Sequence, residues 1–141
     1  MQSLIRKTIP ELLTHISLLD VTRKVKQDIL FKSVDASTHQ ILEFLYNPEY
    51  QFSLLKKFKY TSETARGRGV RRLEKYVYVI SLLEDTTNIS LDKKESMLYQ
   101  MCECLDKEEV EMVLGIIKGK STINGISKHF LFDTFNKPAE L

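Results

Sequence analysis

The cationic residues of this chain are concentrated between Lys56 and Lys75. This stretch contains eight basic and two acidic residues, a local charge of +6, whereas the whole chain carries +2, so the remainder is net −4. Aromatic residues, Phe52, Phe58 and Tyr60, lie beside or among the lysines. A focused basic stretch with aromatic neighbours predicts a surface that binds a polyanion, the alternative being a solvated charged loop that serves solubility. The predicted contact residues are Lys56, Lys57, Lys59, Arg66, Arg68, Arg71, Arg72 and Lys75.

A second candidate phosphate site surrounds Gly119. Glycine commonly ends a helix, and Ser121 can cap the next one, so amides, hydroxyls and ammonium groups are predicted to converge there. The spacing from Gly115 is one residue too short for a phosphate loop, and the segment follows a helix, which excludes a nucleotide triphosphatase. An ordinary corner between two helices is the alternative interpretation. The residues of this second site are Lys118, Lys120, Ser121, Thr122 and Lys128.

No group of residues has the spacing of a catalytic or metal site. His15, His39 and His129 are far apart and have no acidic or thiol neighbours at ligand spacing. Cys102 and Cys104 would point to different sides of a helix. We therefore expect a non-enzymatic protein without a metal or cofactor, located in the cytoplasm with reduced thiols. No apolar run is long enough to span a membrane, and the charged, proline-containing N-terminus is a poor signal peptide.

Helical periodicity dominates the chain. Its length of 141 residues favours a single domain, and a composition of 43% hydrophobic residues with only five glycines is typical of a packed globular protein. No segment shows the alternation of polar and apolar residues that is typical of a strand. The sequence therefore predicts one all-α domain over residues 1–141, built from seven or eight short helices.

Capping residues predict the first helix boundaries. Pro10 is expected at the first position of one helix, where its missing N–H costs nothing. Asp20 is expected to cap a second helix, and Asp35 or Ser37 a third. The pair Asn47-Pro48 then ends the third helix, because a residue before proline disfavours helical geometry.

The basic stretch is predicted to be held by apolar residues on its N-terminal side. Phe52, Leu54, Leu55 and Phe58 form a short segment that would anchor it to the core. Residues 61–69 are polar and contain two glycines, which predicts an irregular connection.

A strong helix is predicted to begin at Val70. Arg71, Arg72 and Lys75 would then lie on or beside its first turns, next to the positive end of the helix dipole. Cations are unfavourable there, so their presence suggests a nearby anion.

Further signals define the C-terminal half. Ser90 is expected to cap one helix, and Asp106 with Glu109 three residues later forms a capping box for the next. Gly119 is expected to end that helix in the left-handed conformation. Ser121 would then cap a last short helix that continues through Phe130.

Two stretches form an ordered pair with a recognisable pattern. Residues 41–59, ILEFLYNPEYQFSLLKKFK, contain a helix, an Asn-Pro turn and an aromatic strip that ends in paired lysines. Residues 110–138, VEMVLGIIKGKSTINGISKHFLFDTFNKP, contain a helix, a small basic turn, a Ser/Thr-initiated helix and an aromatic segment. Together, over about residues 38–138, they resemble the N-terminal helical domain of bacteriophage-type ATP-dependent DNA ligases.

The resemblance implies a domain that holds duplex DNA beside a nick, mainly through the sugar–phosphate backbone. The contacts it implies by position are Lys56, Lys57, Lys59, Lys118, Lys120, Ser121 and Thr122, with Lys128 as an addition. The segment RGRGVRR has no counterpart in the family. Ligases also need a Lys-x-Asp-Gly motif, and this chain has no Asp-Gly pair, so it cannot carry out ligation alone.

These observations predict a non-catalytic, sequence-tolerant module that binds duplex DNA. We expect it to be phage-encoded and accessory to replication, repair or transcription. The alternative is a protein-interaction module that binds and regulates a replication or transcription protein. Such a module would use the basic segment or the aromatic tail, which comprises Phe130, Leu131, Phe132 and Phe135.

Overall fold

The computed structural model describes residues 7–60 and 71–136, and these contain helices and turns but no strand. The all-α fold class is therefore confirmed, and no described helix is both long and apolar enough to cross a membrane. The predicted connection over residues 61–69, with Arg66 and Arg68, lies outside the described residues. The helices are α1 (Ile9–Ser17), α2 (Arg23–Ser33), α3 (Ala36–Tyr46), α4 (Val77–Leu83), α5 (Leu91–Cys104), α6 (Lys107–Lys118) and α7 (Lys128–Phe135), with 3-10 turns at Ser53–Leu55 and Leu73–Tyr76.

The helices surround one continuous apolar core. Helices α1 and α3 pack against α6, and α7 packs across α2 and α3. Helices α4 and α5 pack against each other, and the 3-10 turn Ser53–Leu55 contacts α5 and α6. Side chains from all seven α-helices contribute to the buried cluster, including Leu13, Leu30, Ile41, Ile80, Leu98, Val113 and Leu131. The basic stretch is thus attached to the helical body through the same core that α5 and α6 share.

Most of the capping predictions are confirmed, and two boundaries in the N-terminal half are corrected. Asp35 caps α3, which ends at Tyr46 before the Asn-Pro pair. Thr8 caps α1, so that Pro10 occupies the second helical position and not the first. The prediction that Asp20 caps α2 is wrong, because the side chain of Thr22 accepts the hydrogen bond from the Val25 amide.

The start of α6 combines a local cap with a contact from elsewhere in the chain. As predicted, Glu109 donates its N–H to Asp106 at 2.9 Å, and the Glu109 carboxylate receives the Asp106 N–H in return. The other Glu109 oxygen accepts the N–H of Leu73 at 2.9 Å. Burial, together with the nearby charges of Asp106 and Glu74, raises the pKa of the Glu109 carboxyl despite these hydrogen bonds.

The prediction that a helix begins at Val70 is wrong. Arg72 is extended, a 3-10 turn follows at Leu73–Tyr76, and α4 begins only at Val77. Distant partners take the backbone N–H groups here, because the Arg71 amide donates to the Cys104 carbonyl and the Leu73 amide donates to Glu109. Arg71 and Arg72 therefore precede the helix, and the helix-dipole argument for an anion beside them does not hold.

The prediction that Ser121 caps the last helix is also wrong. Gly119 does end α6 in the left-handed conformation, with φ of 73°. A second glycine, Gly125, has φ of 85°, which interrupts any helix that starts at Ser121. Helix α7 begins after Ser127, whose hydroxyl accepts the Phe130 amide at 3.0 Å. Ser90, by contrast, caps α5 as expected.

Replacing Gly115 by Ala is expected to destabilise the protein, although alanine is the better helix former. A Cβ at this position would lie 2.5 Å from the Lys120 carbonyl oxygen and 2.8 Å from the Thr122 methyl group. We expect a loss of about 1–3 kcal/mol in unfolding free energy, measured by urea denaturation. Unchanged or increased stability would show that the turn after α6 does not approach the helix this closely.

Glu109 should make stability fall as pH rises. Its raised pKa means that the folded state holds the proton more tightly than the unfolded state, so stability is lost between the ordinary glutamate value and the raised one. In Glu109→Gln this contribution disappears. The stability advantage of the wild type over Glu109→Gln should therefore shrink as pH increases through that window, as measured by urea denaturation across a pH series. An advantage that grows with pH would contradict the assignment.

Candidate nucleic-acid interface

The three lysines after the aromatic strip follow a short 3-10 turn that is firmly held. The Asp85 carboxylate accepts the N–H groups of Ser53 and Leu54, at 2.9 Å and 3.1 Å, and so caps the turn. Phe52 and Leu55 are buried, which confirms that this segment anchors the basic stretch. Leu54 is an exception to the predicted anchor, because it is 52% exposed.

Lys56, Lys57 and Lys59 are all exposed. Within residues 7–60 and 71–136, no ion pair joins any of these lysines to a carboxylate. Lys75, in the 3-10 turn before α4, and Arg71 are exposed in the same way. The charges of these five residues are accessible to an anionic ligand.

Both flanks of residues 61–70 attach to the C-terminal end of α5. On one side, the Tyr60 hydroxyl donates to the Glu103 carboxylate at 2.5 Å. On the other, the Arg71 amide donates to the Cys104 carbonyl at 3.1 Å. The lysines that precede Tyr60 and the arginine that follows the segment are therefore brought to one part of the molecule. Sequence patterns could not reveal these contacts, because their partners lie tens of residues away.

Two further side chains, Tyr76 and Cys102, lie near this end of α5. The pKa of Tyr76 is raised to about 12, mainly by burial and in second place by hydrogen bonding to the Cys104 thiol. Burial also raises the pKa of Cys102 to about 12, so its thiol stays protonated and unreactive at neutral pH. The two cysteines are free thiols. The Tyr76 and Cys102 side chains at this end of α5 are therefore uncharged at neutral pH.

Arg72 differs from the other basic residues because its guanidinium is already engaged. Its Nε donates to Glu74 at 3.0 Å, and its terminal nitrogen donates to the Lys7 carbonyl. The Glu74 side chain is only 8% exposed, and its Oε1 has no hydrogen-bond partner among residues 7–60 and 71–136. A role for Arg72 in binding DNA remains a prediction, but the side chain also neutralises a buried carboxylate.

The second set of predicted residues gathers around Gly119. Lys118, Lys120 and Lys128 are exposed, and the Lys128 ammonium nitrogen lies 3.8 Å from where a Cβ on Gly119 would be. The ammonium group of Lys128 therefore lies close to the C-terminal end of α6. No described hydrogen bond or ion pair connects this turn to the basic stretch.

The hydroxyl groups of this turn are less available than the sequence suggested. Ser121 donates to the Ile126 carbonyl and accepts the Ile123 amide at 3.3 Å, so its hydroxyl stabilises its own turn. Thr122 is exposed, but its methyl group faces Gly115. The predicted phosphate contacts at this turn therefore depend mainly on the three lysines and on the exposed Thr122.

The aromatic tail is largely part of the core. Phe130 and Leu131 are 3% and 0% exposed, and Phe135 is partly buried with its ring 4.4 Å from that of His39. Only Phe132, 38% exposed, presents a substantial surface. This packing removes the main support for a protein-binding surface formed by the tail. The expectation that His129 has no acidic neighbour is wrong, because its Nε2 lies 3.3 Å from the carboxylate of Asp133, four residues later. Among the described residues no three metal-binding side chains are grouped.

Comparisons of the chain with protein-family models, curated proteins and solved structures find no match. The functional argument therefore rests on the residues themselves and on their arrangement.

Replacement by alanine is expected to destabilise the protein at Arg72 but hardly at Arg71. Arg72→Ala should lower the unfolding free energy by about 1–3 kcal/mol, because it leaves the buried Glu74 without its partner. Arg71→Ala should change it by no more than about 0.5 kcal/mol, since the Arg71 side chain is exposed and its backbone contact is retained. Urea denaturation of the two variants checks this. Equal losses would show that Arg72 has no special structural role.

Proposed function

We propose that this protein is a non-catalytic module that binds duplex DNA through its phosphate backbone and with little sequence preference. The observation that carries the proposal is the exposed cluster of Lys56, Lys57, Lys59 and Arg71 beside the end of α5. The rest of the chain outside residues 56–75 is net negative, so the positive surface is local. A local positive surface attracts polyanions and orients them.

Phosphate contacts would supply most of the affinity. Each lysine or arginine that neutralises a phosphate releases counterions, which adds about 0.9 to the slope of log affinity against log salt. Four cations held on one part of the surface are therefore enough for binding that is clear at low salt and weak at high salt.

The location of the cations favours sequence-tolerant binding. Lys56, Lys57, Lys59 and Arg71 lie in turns or extended segments, and not along one face of a helix. Reading base edges in the major groove usually requires a helix or a two-stranded ribbon that enters the groove. Contacts from turns to phosphates position a protein on DNA but carry no sequence information.

The turn at Gly119 supports the same function as an additional contact. Its three lysines are exposed between the last residue of α6, Lys118, and the first residue of α7, Lys128. The resemblance to the helical domain of phage-type DNA ligases adds a hypothesis about its setting, in which the module is phage-encoded and accessory to replication, repair or transcription. An acidic protein surface is the alternative ligand for the same basic stretch.

Replacing Lys56, Lys57, Lys59 and Arg71 together by Ala should weaken binding to blunt duplex DNA at least tenfold at about 50 mM salt. The slope of log affinity against log salt should also become shallower by about 3 to 4, because four phosphate contacts are lost. Fluorescence anisotropy titrations at several salt concentrations measure both quantities. Arg72 is left unchanged in this variant so that folding is preserved.

The matched control replaces four exposed lysines outside the basic stretch, Lys24, Lys32, Lys93 and Lys107, by Ala. This control removes the same net charge but should retain most of the affinity. If both variants lose affinity equally, the interaction depends on net charge and not on this surface. If the wild type does not bind duplex DNA even at about 50 mM salt, the proposed function is wrong.

A further inference from the structure

A tyrosine of the basic stretch packs against a second tyrosine, which belongs to α5. The rings of Tyr60 and Tyr99 meet edge to face, with centroids 5.3 Å apart and planes inclined by 63°. Tyr60 is partly buried against the core, whereas Tyr99 is 44% exposed. Tyr99 was not among the predicted contact residues, but its contact with Tyr60 places its exposed ring beside the basic stretch.

Glu103 interacts with both tyrosines. Its carboxylate accepts the Tyr60 hydroxyl at 2.5 Å, which holds the Tyr60 ring beside α5. The charge of the same carboxylate, and hydrogen bonding to it, raise the pKa of the Tyr99 hydroxyl. Tyr99 therefore packs edge to face against a ring that is held in place.

Basic residues precede and follow Tyr60 in the chain. Lys59 directly precedes Tyr60, and Lys56 and Lys57 lie just before it. On the other side, the Arg71 backbone is hydrogen-bonded to Cys104, the residue after Glu103. Phosphates are attracted to these cations and repelled by the Glu103 carboxylate. A nucleic-acid strand would thus place its backbone over the lysines and arginine and its bases toward the tyrosines.

Stacking of bases on aromatic side chains is sequence-tolerant, because every base has a flat face. Bases inside a duplex are already stacked on each other and cannot use such a ring. Only an unpaired base, in a single-stranded segment or at a frayed end, can reach it. The combination of a cationic track with an exposed, immobilised aromatic ring is typical of surfaces that bind single strands.

We propose that Tyr99, braced by Tyr60, is a stacking platform for an unpaired base, so that the preferred ligand is DNA with a single-stranded segment next to a duplex. This inference rests on the proposed function, because the same lysines and arginine would hold the backbone of that DNA. It adds a preference that phosphate contacts alone do not supply.

The test compares blunt duplex DNA with the same duplex carrying a short single-stranded overhang, by anisotropy at constant salt. The wild type should bind the overhang DNA about five- to a hundred-fold more tightly, the range expected for one stacked base. Tyr99→Ala should remove this difference, so that it binds the two DNAs with equal affinity. Tyr99→Phe, which keeps the ring, should retain most of the difference.

A fluorescent adenine analogue in the overhang gives a second readout, because stacking on a tyrosine ring changes its emission. The wild type and Tyr99→Phe should change the emission, and Tyr99→Ala should not. The control is Tyr78→Ala, which removes a tyrosine of 72% exposure from α4 and should behave as the wild type. Thermal unfolding of each variant confirms that it is folded.

The outcomes separate this inference from the proposed function. Binding of blunt and overhang DNA with equal affinity by the wild type would overturn the stacking platform and leave duplex binding in place. If Tyr78→Ala and Tyr99→Ala lose the preference for overhang DNA to the same extent, the assignment of stacking to Tyr99 is overturned. Absence of binding to either DNA at low salt would overturn both proposals.

Discussion

The buried carboxylate of Glu109 links the start of α6 to the C-terminal part of the basic stretch. One of its oxygens completes the cap of α6, and the other accepts the amide of Leu73, which lies two residues before the end of that stretch. Helix α6 buries most of its residues in the core, so a group fixed at its start has little freedom to move. Together with the hydrogen bond from the Arg71 amide to the Cys104 carbonyl, this side chain positions the segment that leads into α4. Its raised pKa reflects the energetic cost of keeping a carboxylate in so enclosed a place.

The sequence was sufficient where structure depends on neighbours along the chain. The all-α class, the Asp106–Glu109 capping box and the glycine end of α6 follow from local hydrogen bonding and backbone geometry. It was insufficient where distant groups compete for the same backbone atoms. The apolar spacing after Val70 suits a helix, but the amides of Arg71 and Leu73 are taken by Cys104 and Glu109. Thr22 and Asp20 are both good capping residues, and the sequence did not distinguish between them, whereas the structure has Thr22 at the N-cap of α2.

The candidate surface was predictable in composition but not in arrangement. The concentration of charge near Lys56 is visible in the sequence, and the lysines are indeed exposed. The distinction between Arg71 and Arg72 is not visible, because it depends on a buried partner, Glu74, and on the carbonyl of Lys7. The tyrosine pair was also missed, since Tyr99 belongs to a helix that gives no sequence sign of facing the basic stretch. Of the two adjacent arginines, Arg72 is thus engaged with groups of the protein itself, whereas the Arg71 side chain is exposed.

The attachment of both flanks of residues 61–70 to Glu103 and Cys104 has an evolutionary consequence. Tyr60 and Arg71 are held by neighbouring residues of α5, so doubling the number of residues between them would add only about 0.6 kcal/mol of closure entropy. The core does not need to adjust to such a change, since Tyr60 and Arg71 keep their partners. Insertions between these two residues are therefore expected to be tolerated on an otherwise constant helical scaffold.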